Sequence, residues 1–152
     1  IGICKIKKNR NFKRNLMLYF AYGSNLNHHQ MKRDRCIGSQ YLQSFTLKDY
    51  KLVFSHSNKL NKFGYANVIK KKGSKVIGAI WKITKKHEII LDGYEQFPDV
   101  YQKEYFKHNG KEIMFYIMKN YFLKNPPKIY VEIINKGYED CKIDLKINYK
   151  FK

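Results

Sequence analysis

Two features of the sequence carry recognisable chemistry: the run Tyr19-Phe20-Ala21-Tyr22-Gly23-Ser24-Asn25 and the single glutamate Glu95. The apolar stretch 16–21 reads as a buried strand, and it enters the turn Tyr22-Gly23-Ser24-Asn25 directly. Gly23 permits close backbone approach or a positive φ. A strand-to-helix turn leaves several N–H groups pointing one way, which suits a carboxylate, a phosphate or a developing oxyanion. The same residues also make an ordinary capped turn, so the loop by itself does not name a ligand.

Glu95 closes the segment Leu91-Asp92-Gly93-Tyr94-Glu95. A carboxylate at a helix C-terminus faces the negative end of the helix dipole, which raises its pKa. Partial burial among Tyr94, Phe97 and Tyr101 acts in the same direction. A carboxylate with a raised pKa is suited to general-base work. Glu88 and Asp92, one turn apart and near Lys85, read instead as a solvated face.

These groups need elements to hold them. Thr84 is a good N-cap for a helix reaching Tyr94, with Ile83, His87, Ile90, Leu91 and Tyr94 on one apolar face. Asn25 or Asn27 caps a short helix through Arg35. Strand patterns fall at 39–47 and 50–55, and at 64–70 and 75–83, the last two joined by Lys71-Lys72-Gly73-Ser74 as an expected hairpin. A second hairpin is expected over 100–106 and 112–118, turning at Asn109-Gly110. Pro126-Pro127 opens a final helix with Pro127 near its first position, and Gly137 reads as its C-cap. Six or seven short strands with three inserted helices do not alternate as βαβ units. The expected fold is therefore α+β: a small mixed β-barrel with flanking helices.

Length and composition fit one such domain. The chain has 152 residues, 43% hydrophobic and 16% aromatic, which excludes intrinsic disorder. No apolar run approaches the roughly 20 residues of a membrane helix, so no membrane association is expected. Residues 1–15 hold basic residues and no acid and read as a disordered arm preceding a single domain over 16–152. The net charge of +19 comes mostly from lysines spread along the chain, not from the arginines that read nucleic acid through bidentate contacts. The lysine-rich interval 59–75 leaves nucleic-acid binding as a lesser alternative. Cys4, Cys36 and Cys141 form no metal or disulfide pattern and read as reduced thiols of a cytoplasmic protein. The adjacent His28 and His29 would point about 100° apart on a helix, so no metal site is expected.

Taken in order, five pieces resemble the γ-glutamylcyclotransferase family. They are the Tyr-Phe-Ala-Tyr-Gly-Ser-Asn strand and loop, Gly78-Ala79-Ile80-Trp81, Leu91-Asp92-x-x-Glu95, Tyr101, and Pro126-Pro127-x-x-Tyr130. The resemblance implies a barrel-like α+β fold acting on a small γ-glutamyl substrate without metal or organic cofactor. It places the catalytic role on Glu95 and substrate binding on Tyr19, Phe20, Ala21, Tyr22, Gly23, Ser24, Asn25 and Tyr130. The implied reaction releases 5-oxoproline and a free amine from a γ-glutamyl amino acid, dipeptide or amine. The substrate's own α-amine is the nucleophile, so the protein must supply one base, donors for an anion, and a folded-back substrate conformation.

Two departures bear on this reading. Gln96 stands where many relatives place glycine after the glutamate. The loop has Asn25 where glutathione-specific members have leucine, which argues against intact glutathione as the main substrate. The alternatives are preference for a γ-glutamyl amine and a noncatalytic binding domain of the same fold.

Overall fold

Strand β1 (Leu16–Ala21) is the expected buried strand, and the rest of the sheet is built around it. A computed structural model describes residues 16–151; the basic arm expected over 1–15 lies outside them. The strands β2 (Gln40–His56), β3 (Tyr65–Thr84), β4 (Gln102–His108), β5 (Lys111–Ile117) and β6 (Phe122–Leu123) complete one sheet, ordered β4-β5-β1-β3-β2-β6. β1 runs antiparallel to β3, with Phe20 opposite Ile80 and Ala21 opposite Ala79. It runs parallel to β5, with Leu18 opposite Ile113. Paired on both edges, β1 reads as an unbroken apolar run with no alternation.

The sheet is mixed and strongly curled but not closed, because its edge strands β4 and β6 do not pair with each other. Aromatic packing spans the curl instead. Phe45 of β2 stacks on Phe106 of β4 at 5.3 Å, and Phe20 packs edge-on against both. The core holds Phe20, Trp81, Ile83, Leu91, Phe115 and Ile134, all under 2% exposed.

Two expectations about strands are corrected. Patterns 39–47 and 50–55 form one long strand, β2, whose pairing with β3 shifts register at Leu42 and again at Asp49, whose φ is 63°. Segments 64–70 and 75–83 do not pair with each other as a hairpin. Both pair with β2, Lys75 lying opposite Lys48 and Lys70 opposite Tyr50, so Lys71-Lys72-Gly73-Ser74 is a bulge. Gly73, at φ 83°, donates its N–H to Asp49 Oδ1 at 3.0 Å and pins that bulge. The β2–β3 ribbon bends sharply there. Ala79 pairs with Ala21, yet Ala66 Cβ lies 2.8 Å from where a Gly23 Cβ would sit. An extended strand would put those two alanines roughly 40 Å apart.

Helix α1 (Lys85–Tyr94) begins as expected: Thr84 Oγ1 accepts from His87 N–H while His87 Nδ1 accepts from Thr84 N–H. Asn27 caps the turn Gln30–Arg35, its Oδ1 accepting from Gln30 N–H. The Asn109-Gly110 hairpin joins β4 to β5 with both residues at positive φ. Helix α2 (Lys128–Asp140) starts directly after Pro127, its N-cap, beside the first helical position as expected. Gly137 does not end it. A Cβ there would lie 2.5 Å from Leu26 Cβ, so this glycine lets α2 dock on the turn after β1. None of the described helices is long and apolar enough to cross a membrane. Cys36 and Cys141 are buried and unbridged; Cys4 lies outside the described residues.

Candidate active site

The end of α1 sets the position of Glu95. Gln96 N–H donates to Gly93 O and Phe97 N–H to Asp92 O, a Schellman closure with Glu95 as C-cap. That closure needs a left-handed residue directly after the cap, and Gln96 adopts it at φ 49°. The departure from glycine noted in the sequence thus falls on the one position of this turn that favours glycine.

Glu95 lines a cavity of about 500 Å³ together with Tyr19, Tyr22, Gly23, Ser24, Asn25 and Tyr130. Phe20 and Ala21 do not reach it: Phe20 points into the aromatic core and Ala21 is buried against β3. Burial pushes the Glu95 carboxyl up to about 7, while nearby Arg35 opposes the shift. Among the described residues no cation lies within ion-pair distance of Glu95.

Gly23 is required for close approach: a Cβ there would also fall 3.1 Å from the Tyr130 hydroxyl. Burial holds the phenols of Tyr19, Tyr22, Tyr101 and Tyr130 above their ordinary range, so all four stay protonated. Two of them spend that proton on the fold. Tyr22 donates to Tyr116 O at 2.6 Å, and Tyr101 to Ala66 O at 2.7 Å. The other two are acceptors within the protein. Tyr130 takes the Ala66 N–H at 3.0 Å, and Tyr19 takes Asn25 Nδ2 at 3.0 Å. A hydroxyl has one proton and two lone pairs, so Tyr19 and Tyr130 keep a donor for a ligand.

The sequence profile described as gamma-glutamyl cyclotransferase, AIG2-like, matches residues 19–137. The chain belongs to this family. No curated protein sequence gives a significant match. Among solved structures, that of an uncharacterized protein from Homo sapiens is 27% identical with a TM-score of 0.75, spanning 91% of this chain and 93% of that one. Another, described as a gamma-glutamyl cyclotransferase, is 26% identical with a TM-score of 0.73, spanning 90% and 92%. YkqA from Bacillus subtilis, 20% identical with a TM-score of 0.68, shares the fold over 82% of this chain and 49% of its own.

At or behind the wall of this cyclotransferase-family cavity, three groups escaped the sequence reading: a tyrosine, a charge network and an arginine. Tyr116 lines the wall, and its hydroxyl donates to Asp92 Oδ1 at 2.6 Å. Asp92 in turn is 2.8 Å from Lys103 Nζ, which lies 2.8 Å from Glu88. Glu88, expected on a solvated face, has a side chain only 6% exposed; it belongs to a buried network behind the cavity. Lys103 supplies the missing signal, since it follows Tyr101 by two residues and an extended chain puts both on one side. Arg35 is the third group. Its Nη1 donates to Asn25 Oδ1 at 3.0 Å, and its guanidinium lies 4.1 Å from the centre of the Tyr94 ring. Among the described residues no cluster of His, Cys, Asp or Glu is arranged to hold a metal ion.

Proposed function

We propose that this chain is a γ-glutamyl cyclotransferase that releases 5-oxoproline and a free amine from γ-glutamyl amino acids, dipeptides or amines. The observation that carries the reading is Glu95, half-buried and without an ion partner among the described residues, sharing one cavity with the glycine turn. The family profile and the 26%-identical structure described as a gamma-glutamyl cyclotransferase support it.

The Glu95 carboxylate takes a proton from the substrate's α-ammonium. The freed amine nitrogen attacks the γ-carbonyl carbon and closes a five-membered ring, moving an electron pair onto the carbonyl oxygen. Collapse of that intermediate reforms the carbonyl and breaks the bond to the leaving nitrogen, which takes a proton back from Glu95. The ring nitrogen, still bearing two hydrogens and a positive charge, gives one of them to the freed Glu95 carboxylate, from which the departing amine takes it to leave as an ammonium. Folding the glutamyl chain into the ring-closing conformer supplies up to about 7–11 kcal/mol in favourable intramolecular cases. Each donor aimed at the oxyanion contributes roughly 3 kcal/mol. We assign the oxyanion donors to Tyr19, Tyr130 and the free amides of the turn, those of Leu26 and Asn27 being already bonded to Gly23 O and Ser24 O. We place the enzyme in the cytoplasm, where its buried unpaired thiols stay reduced.

The test is turnover of γ-glutamyl-alanine and of γ-glutamyl-ε-lysine, following free amine and 5-oxoproline across pH. Since Glu95 must be ionised, kcat/KM rises with pH through about 7. Binding of both compounds without product would favour the noncatalytic alternative.

A further inference from the structure

Among the described residues the cavity wall carries one carboxylate, Glu95, and one guanidinium, Arg35, and no lysine. The two opposite charges lie farther apart than ion-pair distance, and Arg35 forms no salt bridge among the described residues. Arg35 is nonetheless firmly held. Asn25 Oδ1 accepts one of its N–H groups and also accepts from Gln30 Nε2 at 2.8 Å, while Tyr94 covers the guanidinium face. A guanidinium has five N–H donors in a planar fork, so most of them stay available to a ligand.

An α-amino acid head carries an ammonium and a carboxylate on one carbon. A base that takes the α-ammonium proton therefore has the α-carboxylate as its immediate neighbour. We propose that Arg35 binds the α-carboxylate of the glutamyl group, so that Arg35 and Glu95 together read the amino-acid head and the glycine turn is left for the oxyanion. The assignment rests on the cyclotransferase reading above and adds its specificity-determining residue. It also links binding to chemistry: the positive charge that lowers the Glu95 pKa is neutralised when the carboxylate arrives, which makes Glu95 a stronger base in the complex.

The experiment compares two substrates that differ in one group. They are γ-glutamyl-alanine and 4-aminobutanoyl-alanine, which lacks only the α-carboxylate and closes to 2-pyrrolidinone. Wild-type enzyme is expected to prefer the first by about 100-fold in kcat/KM, the scale of a charge-assisted, hydrogen-bonded pair. Arg35→Gln loses that factor on γ-glutamyl-alanine and less than about threefold on the other, so the preference collapses; Arg35→Lys restores part of it. The acid limb of kcat/KM also moves to higher pH in Arg35→Gln. Around Glu95, besides Arg35, stand the phenols of Tyr19, Tyr22, Tyr101, Tyr116 and Tyr130, all held above their ordinary range and protonated, with His56, Tyr65 and Tyr94 elsewhere on the same wall. Equal losses on both substrates, or a wild-type enzyme that does not distinguish them, overturn the assignment while leaving the cyclotransferase reading intact. A wild-type enzyme inactive on both overturns that reading itself.

Discussion

Helix α1 carries Glu88 and Glu95 two turns apart, and the two carboxylates meet opposite electrostatic surroundings. Glu88 is buried against Lys85 and Lys103, whose ammonium groups hold its carboxyl below the ordinary range in spite of burial. Glu95 is half-buried in the cavity wall with no cation in contact among the described residues, and desolvation moves its carboxyl up to about 7. Loss of water is common to both; the difference lies in whether a counter-charge replaces it. A paired carboxylate becomes a fixture of the fold, and an unpaired one becomes a proton acceptor near neutral pH.

This contrast can be tested from both ends. The largest effect is expected for Glu95→Gln, which removes the base and lowers turnover of γ-glutamyl-alanine by about 10³-fold or more, measured as free alanine released. Next comes Lys103→Met, which strands Glu88 and Asp92 without their shared cation. It should cost about 3 kcal/mol in urea denaturation, and through Asp92 it should loosen Tyr116.

The pH dependence of stability should then separate the two glutamates by sign. Glu88, with a lowered pKa, contributes stability that is present above its unfolded value near 4.5 and is lost as pH falls through the folded value. Glu95, with a raised pKa, contributes stability that is full below about 4.5 and is lost as pH rises through about 7. Denaturation midpoints of Glu88→Gln and Glu95→Gln against pH should diverge from wild type in these two separate windows. A common window would mean that the carboxylates share one environment. The smallest change is expected for Gln96→Gly, which relieves a left-handed glutamine and gains about 0.5–1 kcal/mol. Its activity should stay within about twofold if the turn only carries Glu95.

Local signals made much of this legible. β1, the capped α1, the Asn109-Gly110 hairpin and the start of α2 each depend on a few neighbouring residues, and each appears where the pattern placed it. The direction of the Glu95 shift was also readable from its apolar neighbours, and burial is its main cause. What escaped depends on partners distant in the chain. Gly137 looks like a helix stop until Leu26 is seen against it. Asp92 and Glu88 look solvated on α1 until Lys103 arrives from strand β4. Phe20 and Ala21 belong to the motif by position, but strand alternation and pairing keep them out of the cavity.

The bulge at Asp49 and Gly73 has a consequence for how such a protein can diversify. One arm of the β2–β3 ribbon braces β1, and the other arm brings His56, Tyr65 and Ala66 over the cavity. Scaffold and canopy are thus separate stretches of one ribbon, divided by a hinge-like corner. Under the proposed reaction, changes confined to the outer arm would reshape that part of the cavity wall while the turn that carries Glu95 stays as it is.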